Sequence, residues 1–392
     1  MGNPNEAALA NRLGLDALRS GDARAAAAHF DRACRADPGA AELWVNRATA
    51  DRLLGDTGSE RAALEQALEQ DQRNLMALIR LAQLHERESE EGPAARRWKA
   101  VLSLSAAIDQ PSPELVELLD HARAYVGRQT GQMADLLDSA LAGDLAEASA
   151  RDRRRIRAAA DVMLGRRPVF VNQCHGFHYP YLPADEYFDE EQFPWLETLE
   201  AATATIRGEL EHILAERDPG LAPYVEQPPG VPDNLWSPLN RSLDWGALHL
   251  WRDGERIDEA CARAPKTAAI VERLPLCRIP GRAPTVFFSI LRAGKHIPPH
   301  TGVTNVRSIV HLPLIVPPGC TFRVGGETRP WVEGEAFVFD DTIEHEAVNP
   351  SSEDRAVLIL DTWNPYLSEA ERAMICKIYE VTGSEQGPMR AD

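Results

Sequence analysis

The chain has 392 residues, 44% of them hydrophobic and 26% charged, which is long enough for two folded domains or for one domain joined to a helical array. Its formal net charge of -18 argues against a phosphate backbone as principal partner, because nucleic-acid binding depends on clustered Lys and Arg. The one basic run, Arg151 to Arg157, reads as a solvated helix face. Six cysteines without a Cys-x-x-Cys pair exclude a zinc knuckle or a disulfide framework and read as reduced thiols. The amino-terminal residues carry no export signal and no apolar stretch is long enough to span a membrane, so the expected location is the cytoplasm, with neither nucleic acid nor membrane as partner.

In chain order, the first third is rich in Ala and Leu at helical spacing and carries a 34-residue repeat. A first unit from Ala7 places Leu13, Gly14, Ala17, Ala26, Phe30, Ala33 and Pro38 where tetratricopeptide repeats place their small, large and closing residues. A second unit from Ala41 supplies Trp44, Leu64 and Ala67, and a third from Leu75 supplies Leu78, Leu81, Ala82, Ala94, Trp98 and Val101. Glu60 departs from the pattern, standing where a small residue is expected. Stacked helix pairs of this kind present a concave face. That face is expected either to hold a peptide or protein substrate or to serve packing and self-association.

Residues 1–128 are therefore read as a helical repeat domain. Residues 129–165 are read as a helical connector, with Gly127, Gly131 and Gly143 as expected breaks. After Arg166-Arg167-Pro168 the alanine-rich helices stop and residues 166–392 form a second domain. It opens with a helix from Phe193 to Leu214 and a proline-rich loop over Gln227 to Arg241. Strands are predicted over Thr285 to Leu291, Arg307 to Val316, Thr321 to Val324, Glu335 to Phe339, His345 to Asn349 and Ala356 to Trp363. Short strands at this density favour a sandwich or jelly roll, with Pro313 at a bulge or edge. The fold class is thus α+β, multidomain.

The chemistry concentrates between His300 and Trp363. A divalent iron used for oxygen chemistry needs imidazole ligands together with open positions for dioxygen and a chelating co-substrate. His300 and His345 lie 45 residues apart, enough for intervening strands to bring them together, and Arg355 follows ten residues later. Arginine suits a carboxylate because its planar fork makes two charge-assisted hydrogen bonds.

Over roughly residues 177–366 the chain resembles the aspartyl/asparaginyl β-hydroxylases, iron(II)- and 2-oxoglutarate-dependent oxygenases with a double-stranded β-helix (jelly-roll, cupin-like) core. The resemblance is carried by Phe193-Pro194-Trp195-Leu196, Ala264-Pro265-Lys266-Thr267, His300-Thr301-Gly302-Val303-Thr304-Asn305, Phe339-Asp340-Asp341, Glu344-His345-Glu346 and Asp361-Thr362-Trp363-Asn364-Pro365. It implies that His300 and His345 are the metal ligands and the catalytic centre, with O2 and 2-oxoglutarate as co-substrates. Arg355 and Ser289 would hold the 5-carboxylate of 2-oxoglutarate, with His311 near its other end. Where the family has an arginine two residues before that histidine this chain has Ile309, so Arg307, of the same side-chain parity, becomes the candidate for a substrate carboxylate. The position that supplies a carboxylate ligand in most such oxygenases is Gly302, a gap that the β-hydroxylases share.

The implied reaction is hydroxylation at the β-carbon of an Asp or Asn residue in a peptide or protein. A small-molecule or lipid-linked substrate, or a non-catalytic scaffold with a degenerate barrel, are the alternatives.

Overall fold

Side-chain oxygens at the helix starts set the rhythm of the amino-terminal region. The computed structural model describes residues 3–382, which divide into two compact units between Leu164 and Gly165. The first unit runs α1 (Pro4–Arg19), α2 (Ala23–Ala36), α3 (Ala41–Leu54), α4 (Thr57–Gln70), α5 (Leu75–Arg87), α6 (Glu91–Ser105), α7 (Pro113–Glu147) and α8 (Ala150–Met163). The second helices of the hairpins start at Ala23, Thr57 and Glu91, 34 residues apart each time. Asp22, Asp56 and Asn74 each accept a bond from an otherwise orphaned backbone N–H in the first turn that follows. A Cβ on Gly14 would run into the ring of Phe30, so glycine there lets α1 and α2 close on each other. Leu64, Leu78, Leu81, Trp98 and Val101 form a continuous core that Leu119, Ala122 and Tyr125 of α7 extend.

In this unit one departure from the repeat is explained and one expectation is corrected. Glu60, the residue out of pattern, is buried and ion-pairs with Arg87 of the following hairpin at 2.6 Å, so a charge pair replaces the small-residue contact. The helix is not broken at Gly127, Gly131 or Gly143: α7 runs 35 residues through all three and across position 128. Nothing lies within 4 Å of a Cβ at any of them. A helix-interior glycine costs about 1 kcal/mol relative to alanine, which lowers helix stability without requiring an end.

The second unit contains α9 (Leu196–Glu200), α10 (Thr203–Leu214), β1 (Ala222–Pro223), β2 (Trp245–Arg252), β3 (Glu255–Arg256), α11 (Asp258–Arg263), α12 (Pro265–Val271), β4 (Val286–Leu291) and β5 (His296–His300). It continues through β6 (Arg307–Ile315), β7 (Thr321–Val324), β8 (Glu327–Pro330), β9 (Phe337–Phe339), β10 (His345–Val348), β11 (Arg355–Trp363) and α13 (Glu369–Thr382). The expected single helix from 193 to 214 is two helices, because the chain turns at Ala201 and Ala202. Residues 227–241 carry no helix or strand, as the prolines lead one to expect.

The strands form two antiparallel sheets, one of seven strands with the path β1-β2-β4-β11-β6-β9 and β3 paired to β2, and one of four ordered β5-β10-β7-β8. Pro313 lies where the pairing of β6 with β11 shifts register, so its missing N–H interrupts no regular ladder. Alternation on β11 and β6 separates two cores. Phe288, Ile290, Leu312, Leu358 and Leu360 pack with α9, α10 and α12 in one. Phe287, Leu291, Ile309, Val357 and Ile359 meet Ile297, Phe322, Val324 and Ala347 of the second sheet in the other. Strands buried on both faces read as nearly unbroken apolar runs, which is why β4, β6 and β11 were legible in sequence. The polar residues pointing between the sheets are the exceptions, and they make the site.

Candidate active site

His300 ends β5 and His345 begins β10, and the two are direct cross-strand partners in the four-stranded sheet. Their ring centroids are 4.1 Å apart. Each imidazole is oriented by its own backbone: His300 Nδ1 donates to Pro298 O at 2.8 Å, and His345 Nδ1 donates to Ile343 O at 3.0 Å. With Nδ1 carrying the proton, each Nε2 keeps its lone pair, the tautomer a metal ligand requires. Burial pushes the His300 pKa down to about 4 and that of His345 well below the usual histidine range, so both rings are neutral near pH 7. A site that collects two unprotonated imidazoles suits a divalent transition metal.

No group of three or more His, Cys, Asp or Glu side chains able to hold a metal occurs among the described residues. The arrangement around Gly302 explains why no third ligand comes from that position. Gly302 N donates to Asp341 O at 2.6 Å, and any Cβ at Gly302 would collide with the Asp341 carboxylate. The two adjacent aspartates have different roles. Asp340 accepts from Thr342 N, Thr342 Oγ1 and Asn172 Nδ2, a turn that locks the entry to β10. Asp341 has a buried Oδ1 with no partner, and burial raises its pKa to about 7.

Arg355, at the start of β11, lies on the same sheet face as Val357, the cross-strand partner of Ser289. Only 2% of the residue is exposed, and its guanidinium lies 4.9 Å from the Trp331 ring. No carboxylate, carbonyl or hydroxyl among the described residues bonds to it. Burial lowers its pKa to about 10, still leaving it charged at neutral pH. A buried cation without a counter-charge is costly, and an anionic ligand is the usual remedy. Ser289, fully buried, accepts from Trp245 Nε1 at 3.0 Å and keeps its own hydroxyl proton to donate. His311 stacks on Trp331 at 5.4 Å with Nδ1 unpartnered, and feels the charge of Arg355. Its ring packs against Phe322 and Phe339, the same two rings that His345 faces.

Arg307 behaves differently. Its Nη1 donates to Asp361 Oδ2 at 3.0 Å, and Asp341 contributes further negative charge. The expectation that Arg307 is open to a substrate carboxylate therefore meets a competitor already in place. Other histidines of this unit are engaged elsewhere: His296 pairs with Glu346, His175 with Thr301 Oγ1, and His178 with Cys174. Sequence reasoning missed Trp331, which backs both Arg355 and His311, and Trp236, whose ring lies 5.0 Å from that of His300. A lone tryptophan in a polar turn and another in a proline-rich loop carry no periodic signal.

Two antiparallel sheets thus enclose a neutral histidine pair and a buried arginine that no carboxylate of the chain engages. Comparison with known proteins makes the class specific. Residues 200–365 match the model of the aspartyl/asparaginyl β-hydroxylase family. Human aspartyl/asparaginyl β-hydroxylase is 38% identical over 162 residues, 40% of this chain and 20% of that protein. The chain thus spans about a fifth of the length of that relative. The ornithine lipid ester-linked acyl 2-hydroxylase of Rhizobium tropici is 32% identical over 195 residues, 49% of this chain and 65% of the relative. Human aspartate β-hydroxylase domain-containing protein 2 is 30% identical, covering 55% and 57%. Among solved structures, the TPR2B domain of yeast Sti1 is similar to 30% of this chain over 97% of its own length, at 23% identity and a TM-score of 0.28. No helix among the described residues is long and apolar enough to cross a membrane.

Proposed function

We propose that the second unit is an iron(II)- and 2-oxoglutarate-dependent oxygenase of double-stranded β-helix type that hydroxylates an unactivated C–H bond. The observation that carries the reading is the pairing of two oriented, neutral imidazoles with a buried guanidinium that has no anion of its own. His300 and His345 would hold the metal through Nε2. Arg355 would receive the distal carboxylate of 2-oxoglutarate in a bidentate pair, with Ser289 donating its hydroxyl proton to the same group. His311, which shares the Trp331 ring with Arg355, would lie near the other end of the co-substrate. When bound, iron and 2-oxoglutarate supply dioxygen activation, delivering one oxygen atom to the substrate and the other to succinate as carbon dioxide leaves. The chain's own task is placement and exclusion of water: Phe322, Phe339 and Trp331 wall the histidines and Arg355 off with apolar rings.

For the substrate, the match to the aspartyl/asparaginyl β-hydroxylase model supports the β-carbon of an Asp or Asn residue in a peptide, with the hairpin array offering its concave face to a peptide or protein partner. The closure of Arg307 by Asp361, and the relative named for hydroxylating a lipid acyl chain, support the second reading, a lipid-linked substrate.

The test is an anaerobic titration with iron(II) and 2-oxoglutarate, following the visible metal-to-ligand charge-transfer band. The band is expected in the native protein, absent in His345→Ala and weakened in Arg355→Ala. Well-folded protein that binds iron and gives no band would end this reading.

A further inference from the structure

Resting on the oxygenase reading, we propose that residues 172–179, which stand ahead of the matched residues 200–365, belong to the metal site as a clasp that fixes the separation of its two histidines, with Asn172 as the positioning residue. The ladder between β5 and β10 does not fix that separation alone. His300 and His345 are its terminal pair, and its register shifts directly after His345. Beyond that pair Gly302 N donates to Asp341 O, and the clasp then grips both loops at once. Gln173 N donates to Thr342 O at 2.7 Å on the turn that leads into His345. His175 N donates to Gly302 O at 3.2 Å and Gly176 N to Val303 O at 2.8 Å on the loop that leaves His300.

Side chains complete the grip. Exposure alternates along the segment as in an extended strand, with Asn172, Cys174 and Gly176 half-buried and Gln173 and His175 exposed. Asn172 Nδ2 donates to Asp340 Oδ2 at 2.7 Å and to Thr342 Oγ1 at 3.0 Å. Asp340 is fully buried, so without that amide its Oδ2 is left short of a donor, and the turn that carries His345 must shift to find one. On the other loop, Asn305 Oδ1 accepts from Tyr179 N and Asn305 Nδ2 donates to Tyr179 O, both at 2.8 Å. His175 Nε2 lies 3.0 Å from Thr301 Oγ1, next to His300 in the chain. Tyr179 is held in turn by its hydroxyl, which donates to Glu371 of α13 at 2.9 Å, so the clasp is moored away from the site. Groups that stand behind metal ligands set the direction of those ligands, and losing one weakens metal binding about 10–100-fold.

The test uses the full chain and two readouts: titration with cobalt(II), whose visible spectrum reports ligand geometry, and amide hydrogen exchange, which needs no metal. Asn172→Ala is expected to raise the cobalt(II) dissociation constant at least ~10-fold, to alter the cobalt spectrum, and to speed exchange over residues 300–305 and 340–345 with the rest of the unit unchanged. Leu199→Ala, in the core on the other face of the large sheet, is the control: it is expected to lower the melting temperature and leave cobalt affinity and spectrum native. If Asn172→Ala does not fold, Gln173→Pro, which removes one N–H at an exposed position, takes its place with the same expectations. A folded variant with native cobalt affinity and spectrum overturns the clasp and leaves the oxygenase reading to its own charge-transfer test. An equal loss of affinity in Leu199→Ala also overturns it, because any destabilisation would then do the same. Faster exchange in the variant, when the native protein binds no cobalt(II) and gives no charge-transfer band, keeps the clasp's hold on the two loops and sinks the oxygenase reading.

Discussion

The two units differ in how certain buried charged and imidazole groups are satisfied. In the helical array Asp51 is bonded by Arg47 at 3.0 Å, Glu60 by Arg87 at 2.6 Å and His85 by Glu90 at 2.5 Å. Between the two sheets, His311 Nδ1 and the Arg355 guanidinium are left without a hydrogen-bonding partner. The array's buried charges are part of its packing and are satisfied by its own chain. Those between the sheets are not satisfied by the chain itself and cost stability.

The sharpest way to break the comparison is to remove the charge on each side. Arg355→Ala is expected to weaken 2-oxoglutarate binding by at least ~30-fold, as loss of a buried charge-assisted pair costs roughly 2–5 kcal/mol. The same variant should melt no lower than the native protein, because it deletes an uncompensated buried cation. Calorimetric titration and a thermal melt check the two halves, and a large loss of stability would show that Arg355 has a structural partner.

Next in size, Trp98→Ala empties a fully buried site in the array and should cost about 3–5 kcal/mol, read by denaturant unfolding. The charge-transfer band of the second unit should survive it. Glu60→Ala should cost less, about 1–3 kcal/mol, since it strands one buried-side partner of an ion pair while Arg87 retains access to water. If Glu60→Ala were neutral by the same unfolding measurement, the array's paired charges would be ornamental and the contrast would blur.

The smallest effect concerns acid. Burial lowers the pKa of His249 to about 4, below its unfolded value, so the unfolded chain binds the extra proton first as pH falls. Its contribution to stability is therefore complete above about pH 6.5 and is lost as pH falls through 4. Melting temperatures from pH 7 to 4 should drop less steeply in His249→Phe than in the native protein, and parallel curves would show that folding leaves the His249 pKa unshifted.

Sequence periodicity was enough for the hairpins, because each helix buries one stripe whose spacing is local. It was also enough for β4, β6 and β11, buried on both faces and so apolar throughout. It failed at α7, where three glycines suggested ends that helical backbone bonding simply carried through. Strand β5 and helix α13 were missed: His296-Ile297-Pro298-Pro299-His300 does not look like a strand until β10 pairs with it, and α13 buries little besides Ile375 and Tyr379.

By itself, then, the sequence determined the division into a helical array and a sheet domain, and nominated His300, His345, Ser289, His311 and Arg355 through motif and resemblance. Tertiary structure alone decided which of those polar groups are left without partners. Satisfaction of a hydrogen bond or a charge is a property of what lies across a sheet, often scores of residues away, as Asp361 does for Arg307 and Trp245 for Ser289. Arg307 and Arg355 are alike in sequence, yet the fold gives one a carboxylate and the other only the face of Trp331.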